Sequence, residues 1–262
     1  MKKIFLFSFH WVAFTVFSQS EMIIISQDSS YIEATEYIGK DHLKNDYFIN
    51  ANVFKKKSSD KLFQYQNLKL GDIKNVCITS PLQLLLFYED FNTVVLLDNQ
   101  LNETQLIDGN LFETPVKIEA FGLSGQNNLW LYDGFLQKIS LYNTKTRTNK
   151  IISTPLSSFI KAYHTDFNNF YWIDETNTLY SISIFGKITK KGTVPLFDAV
   201  QIINASALLI KRNGNLFYFD IKRQSETKID LAGKSFADFF YTNKILSIFT
   251  QNQVINYKIN IP

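Results

Sequence analysis

Residues 169–184 read NFYWIDETNTLYSISI: two apolar runs of strand length parted by Asp174-Glu175-Thr176-Asn177. Apolar run, polar turn and second apolar run form the pattern of a β-hairpin. The unit recurs in weaker copies at Tyr47–Phe54, Leu84–Leu97, Leu208–Phe219 and Ile245–Tyr257. Asn127-Asn128-Leu129-Trp130-Leu131-Tyr132-Asp133 also lines up with Asn168-Asn169-Phe170-Tyr171-Trp172-Ile173-Asp174, 41 residues later. Six hairpins on one period indicate a repeat architecture.

Proline marks the boundaries of the repeat. Pro115, Pro155 and Pro195 are 40 residues apart, and proline, which cannot donate to a sheet ladder, belongs in connectors or at strand starts. One step further, Ser235 opens a segment similar to the one after Pro195. Each unit reads as four short strands. After Pro155 these are Phe159–His164, Phe170–Ile173, Leu179–Ile184 and Lys187–Lys190; after Pro115 they are Ile118–Leu123, Leu129–Tyr132, Leu136–Leu141 and Lys150–Ser153. Roughly 40 residues as four strands is the span of a propeller blade. Helical repeats of that period need apolar runs of ten or more at a 3.6 spacing, and these runs are short, often alternating and broken by Asn, Asp and Gly. The expected fold is an all-β, six-bladed propeller over residues 19–262. Its last blade lacks a strand, which the run Met22-Ile23-Ile24-Ile25 is expected to supply by pairing with Val254–Ile261, removing an open edge.

The Asn-Asn-Leu-Trp-Leu-Tyr-Asp and Asn-Asn-Phe-Tyr-Trp-Ile-Asp blocks resemble the signature of six-bladed propellers of the NHL and TolB-like kind. The chain departs from typical NHL repeats in its shortage of glycine. The stretch Pro81–Leu101 also resembles exported Bacteroidetes-type proteins of unassigned function. Neither resemblance brings a catalytic motif.

Residues 1–18 read as a signal peptide: Lys2 and Lys3, an apolar Ile4–Phe17, and small residues before a cut near Gln19. An uncleaved anchor is the rival reading. The whole chain carries 27 basic and 24 acidic residues, so losing Lys2 and Lys3 leaves a net charge of about +1, which gives no global case for nucleic acid. No later run is long enough for a membrane helix. The single cysteine, Cys77, lies in an apolar run and reads as a buried, inert thiol.

Candidate binding residues fall in the turns between second and third strands, which in a propeller open on one face around the axis. They are Asn52, Glu89, Asp90, Asp133, Asp174, Glu175, Arg212 and Asn252. Such a ring suits a cation, a sugar or a peptide, although Asp, Asn and Gly are also what tight turns require. His42 and His164 lie in different repeats without neighbouring ligands, so no metal site is assigned and no cofactor is expected, with calcium left open. The opposite turns are basic: Lys55-Lys56-Lys57 with Lys61, Lys145 with Arg147, Lys187 with Lys190 and Lys191, and Lys222 with Arg223. They suit either edge protection or peripheral contact with anionic lipid or an acidic partner. No nucleophile elbow, zincin helix or phosphate loop occurs.

Two functions follow. The first is a non-enzymatic, exported binding or scaffold module of the bacterial envelope, periplasmic or extracellular or associated with the outer membrane. It would recognise a protein or peptide through loops around the pore. The alternative is a calcium-dependent lactonase or sugar-processing hydrolase on the same fold.

Overall fold

The structure, a computed structural model, describes residues 21–22 and 24–261. The leader at residues 1–18 and Ile23 lie outside the described residues. Blade 1 comprises Glu36–Lys40, Asp46–Asn50, Val53–Lys57 and Leu62–Tyr65; blade 2 comprises Ile73–Ser80, Gln83–Tyr88, Thr93–Leu97 and Glu103–Asp108. Blade 3 runs through Ile118–Leu123, Asn128–Asp133, Lys138–Asn143 and Thr148–Ile151, and blade 4 through Ile160–Thr165, Asn169–Asp174, Thr178–Ser183 and Ile188–Thr193. Blade 5 takes Ala199–Ile202, Ala207–Arg212, Asn215–Asp220 and Ser225–Ile229. Blade 6 takes Asp238–Thr242, Ile245–Phe249 and Gln253–Lys258, completed by Ile25–Tyr31 from the other end of the chain. Consecutive strands within each blade are antiparallel. The three marker prolines lie in the connectors between blades, as expected.

The middle strands explain why the blades stack. Leu84–Tyr88 is an unbroken apolar run, and alternation along a strand sends its side chains to both faces. Leu84, Leu86 and Tyr88 pack toward blade 1, while Leu85 and Phe87 pack toward blade 3. Each pair of neighbouring blades shares one such core, and no blade hides its apolar faces alone. The first strands line the axis beside one another, and that of blade 6 lies against that of blade 1, so the ring closes. The seam between blades 6 and 1 has the smallest core, made of Ile32, Tyr37, Phe48, Phe249 and Val254.

Asparagines at the ends of two turns tie blades together. Asn52 Oδ1 accepts the Ile73 N–H at 2.9 Å while its Nδ2 donates to the Gly71 carbonyl at 3.0 Å. Asn92 does the same one blade later, accepting from Ile118 N–H at 2.9 Å and donating to the Val116 carbonyl at 2.7 Å. Both residues have positive φ, 60° and 51°, a conformation asparagine tolerates better than most. Two glycines are required by close approach. A Cβ on Gly39, whose φ is 147°, would meet the Phe240 ring at 2.7 Å, and one on Gly122 would overlap Thr165 of the next blade.

Closure differs from expectation in its boundaries. An N-terminal strand completes blade 6, but it begins at Ile25, where the apolar run ends, with Ile25 opposite Lys258 and Tyr31 opposite Gln253. Glu21–Met22 instead joins the outer edge of blade 5 in parallel with Lys228–Ile229. The physical reason is that an outermost strand is half solvated, so Ser26–Ser30 can be polar. Asp28 accepts a hydrogen bond from Asn256 Nδ2 within the pairing, and Asn256 Oδ1 accepts from Ser247 at 2.7 Å.

Candidate functional site

All eight residues proposed from the sequence lie in or beside the six turns between second and third strands. Several are occupied in shaping those turns. Asp133 Oδ1 accepts the N–H of Phe135 at 2.9 Å, and Asp174 Oδ1 accepts the N–H groups of Thr176 and Thr178 at 3.0 and 2.9 Å. Arg212 holds Glu226 at 2.7 and 3.0 Å and lies over the Phe217 ring. Glu89 pairs with Lys74 at 3.0 Å, Asp90 packs against Gly71, and Glu175 accepts from the Ser158 hydroxyl at 3.4 Å. Asn52 is the blade tie described above, and Asn252 ends the turn of blade 6, its carbonyl accepting the Ile32 N–H at 3.0 Å.

The cavity on the axis is built elsewhere. About 440 Å³ in volume, it draws on the first strands of all six blades, chiefly their C-terminal halves and the turns that follow. None of the eight turn residues lines it. Its wall alternates amides and hydroxyls with aromatic rings: Asn75, Gln201 and Asn243 with Tyr163, Phe240 and Tyr241. Asn75 Nδ2 donates to the Tyr163 hydroxyl at 3.1 Å. Gln201 grips the Tyr241 backbone at both ends, accepting its N–H at 2.7 Å and donating to its carbonyl at 2.8 Å.

The charged groups of the cavity are held by partners within the fold. Lys40 pairs with Asp46 at 3.1 Å. Asp41 accepts from the Leu43 and Asn45 backbone N–H groups, from Asn45 Nδ2 and from the Tyr47 hydroxyl. His164 lines the cavity and stacks on Tyr171. Burial pushes its pKa down against the opposing pull of Asp166, so the ring is neutral at pH 7. Cys77, expected to be buried, is half-exposed in the same wall with its Sγ 3.3 Å from Thr79 Oγ1. Lys56 corrects the opposite way. It is buried, donates to the Asn99 carbonyl at 2.8 Å and lies near the Tyr47 and Phe63 rings, because its long stem covers apolar surface.

At the other end of the first strands, Glu36 and Asp238 are neighbours across the closing seam. Burial, then the Asp238 charge, raises the Glu36 pKa, and burial raises that of Asp238 against the Lys211 ammonium. A carboxyl whose folded pKa is raised stabilises the fold at low pH and loses that contribution as pH climbs through the folded pKa. Glu36→Gln is therefore expected to raise Tm at pH 7 by about 1–2 °C, a small effect because the burial is partial and the Glu36 side chain stays in contact with solvent. The gain should fade as pH falls through the raised folded pKa and be gone by about pH 4. An equal Tm for both proteins at pH 7, measured by calorimetry, would remove the repulsion from the account.

Among the described residues no group of three or more His, Cys, Asp or Glu is placed to hold a metal. Among them, too, no helix is long and apolar enough to cross a membrane. The sequence signal for the axial cavity is clearest in the first strand of blade 2, where the alternate positions Asn75, Cys77 and Thr79 are polar or small while its second strand runs Leu84–Tyr88 without a polar break.

No protein-family model matches the sequence, and no curated protein matches it. Solved structures do. Virginiamycin B lyase from Staphylococcus aureus is 10% identical over 90% of this chain and 100% of its own, with a TM-score of 0.60. A protein of unknown function from Bacteroides thetaiotaomicron VPI-5482 is 14% identical over 92% of this chain and 73% of its own, with a TM-score of 0.59. YCF48, solved bound to D1 peptide, is 8% identical over 89% of this chain and 97% of its own, with a TM-score of 0.54. These likenesses bear on fold, and together with the strand order they make the chain a six-bladed β-propeller of four-stranded antiparallel blades.

Proposed function

We propose that this chain is a non-enzymatic binding module of the bacterial cell envelope, exported by its leader, that grips a loop of a protein or peptide partner in the axial cavity. The observation that supports this reading is the chemistry of the wall. Gln201 and Asn75 hold the wall in shape through their own hydrogen bonds, while Asn243 at the rim offers an amide that can both donate and accept, as a peptide group does, beside aromatic side chains, the usual anchors of protein recognition. A wall whose lysine is paired with Asp46 and whose Asp41 carboxylate is filled by neutral donors offers, among the described residues, no free lysine or arginine to a phosphate or a carboxylate cluster and favours a neutral hydrogen-bonding ligand. YCF48, which shares the fold, holds a peptide. The fold also carries a lyase, so fold alone does not select between the readings.

The test is a photoreactive amino acid placed at Asn243, at the rim of the cavity, or at Asn252 on the opposite face, in the cells that make the protein. A discrete cross-linked polypeptide from position 243 and none from 252 is expected. Cross-linking from 252 alone would move recognition to the ring of turn residues. A calcium-dependent rise in Tm, reversed by chelator, would support the hydrolase instead.

A further inference from the structure

We propose that the cleft between blades 2 and 3 binds an extended peptide segment that bears aliphatic side chains at alternate positions and no charged ones. This site is separate from the axial cavity. It measures about 810 Å³, within the range of ligand sites. Its walls are the fourth strand of blade 2 with the connector that follows, and the third and fourth strands of blade 3.

The floor is polar and unsatisfied. Asp133 Oδ2, Ser140 Oγ and Asn149 Oδ1 are buried without a hydrogen-bond partner, three of six such atoms among the described residues, and all three residues line this one cleft. Asp133 and Ser140 are only 4% and 2% exposed. Leaving a polar atom buried and unpaired costs about 1–3 kcal/mol, a cost that alanine or leucine at Ser140 and Asn149 would avoid. The strand register places them on one face of the sheet. Asp133 pairs with Lys138, two residues from Ser140, and Asn149 pairs with Tyr142, two residues beyond it. Ser140 is thus the diagonal neighbour of both, roughly 7 Å from each. In an extended chain the N–H groups that point one way recur every two residues, at about 6.7 Å. A strand laid across the floor therefore offers donors at the spacing of these acceptors.

The rim suits the other side of such a strand. Phe91, Leu106, Leu111, Leu136 and Ile151 are exposed around the cleft, Leu111 at 82%. The fourth strands of blades 2 and 3 each end their sheets, so unpaired backbone edges border it, a setting in which added strands bind. Lys138 and Arg147 are interspersed with Asp108, Glu113 and the Asp133 of the floor, two basic against three acidic side chains, so both signs meet any charged side chain that enters.

The experiment titrates the protein with a panel of capped hexapeptides in which leucine or valine alternates with serine, followed by calorimetry. The tightest member is expected to bind with Kd below about 1 mM. Ser140→Ala and Asn149→Leu should each weaken it at least tenfold while leaving Tm unchanged or higher, a combination that a purely structural role would not produce. Substitution of Asn243 should leave peptide affinity unchanged, so this site and the axial reading stand or fall separately. Absence of binding across the panel, equal affinity in both variants, or a fall of several degrees in their Tm would overturn the proposal. So would a dimer in sedimentation that Ile151→Asp dissolves, which would make the occupant a second copy of the chain.

Discussion

A chain that begins at Ile32 is expected to melt roughly 10–20 °C below one that begins at Glu21, and to aggregate on heating. The missing segment is the outermost strand of blade 6, paired with Gln253–Lys258 along its length. Its loss removes on the order of six backbone hydrogen bonds, each worth about 0.5–1.5 kcal/mol net. It also removes the Asp28 carboxylate that satisfies Asn256, itself 3% exposed in the complete fold. Several kcal/mol is a large part of the 5–15 kcal/mol that holds a typical domain together, and in a protein of this size each kcal/mol moves Tm by about 2–4 °C. Aggregation follows from the freed edge of the third strand. A chain lacking only residues 21–24 loses the two-residue pairing with blade 5 and should melt within about 3 °C of the longer chain. Equal melting of the Ile32 and Glu21 chains in a thermal scan would refute closure by Ile25–Tyr31.

Trp130→Ala is expected to cost about 3–5 kcal/mol, the usual range for removing a buried aromatic side chain from a core. Trp130 is fully buried between blades 3 and 4, edge-on to Phe170 at 6.1 Å. Its indole Nε1 donates to the Asp166 carbonyl at 2.8 Å, across the blade boundary. The substitution therefore opens a cavity and removes a hydrogen bond from the same seam. Trp130→Phe should cost less, about 1–2 kcal/mol, since it keeps most of the volume and loses mainly the indole N–H. Urea unfolding provides the comparison. A cost below about 1 kcal/mol for alanine would mean that the blades do not depend on this seam.

The repeat was legible because the residues that carry it are local. Asn168-Asn169 could be read as a strand entry because Asp166 accepts the N–H groups of both residues at 2.7 Å, a bond set within four residues of sequence. The turns at Asp133 and Asp174 were legible for the same reason: each carboxylate folds back on backbone N–H groups two to four residues away. The axial cavity was not. It joins Asn75 to Tyr163 and Gln201 to Tyr241, residues 88 and 40 apart, and no local rule of spacing pairs them. The closing strand was hidden by its polarity, because Ser26–Ser30 looks like a loop until Val254–Tyr257, with Asn256 opposite Asp28, are set beside it.

From its sequence alone this chain is a ring of six like units. Period-2 apolar runs and Asn, Asp and Pro punctuation express the local preferences of strands and turns, and any chain with that pattern must hide both faces of each sheet. The tertiary structure alone decided which polar groups meet. Curving six sheets around an axis brings the first strands of distant units within hydrogen-bonding distance, joining Asn75 to Tyr163 at 3.1 Å and Gln201 to Tyr241 at 2.7 and 2.8 Å, and packing blade 2 against blade 3 leaves Asp133 Oδ2, Ser140 Oγ and Asn149 Oδ1 buried in one cleft without partners. Burial and partnership are properties of that assembled geometry, so they emerge only when the ring is closed.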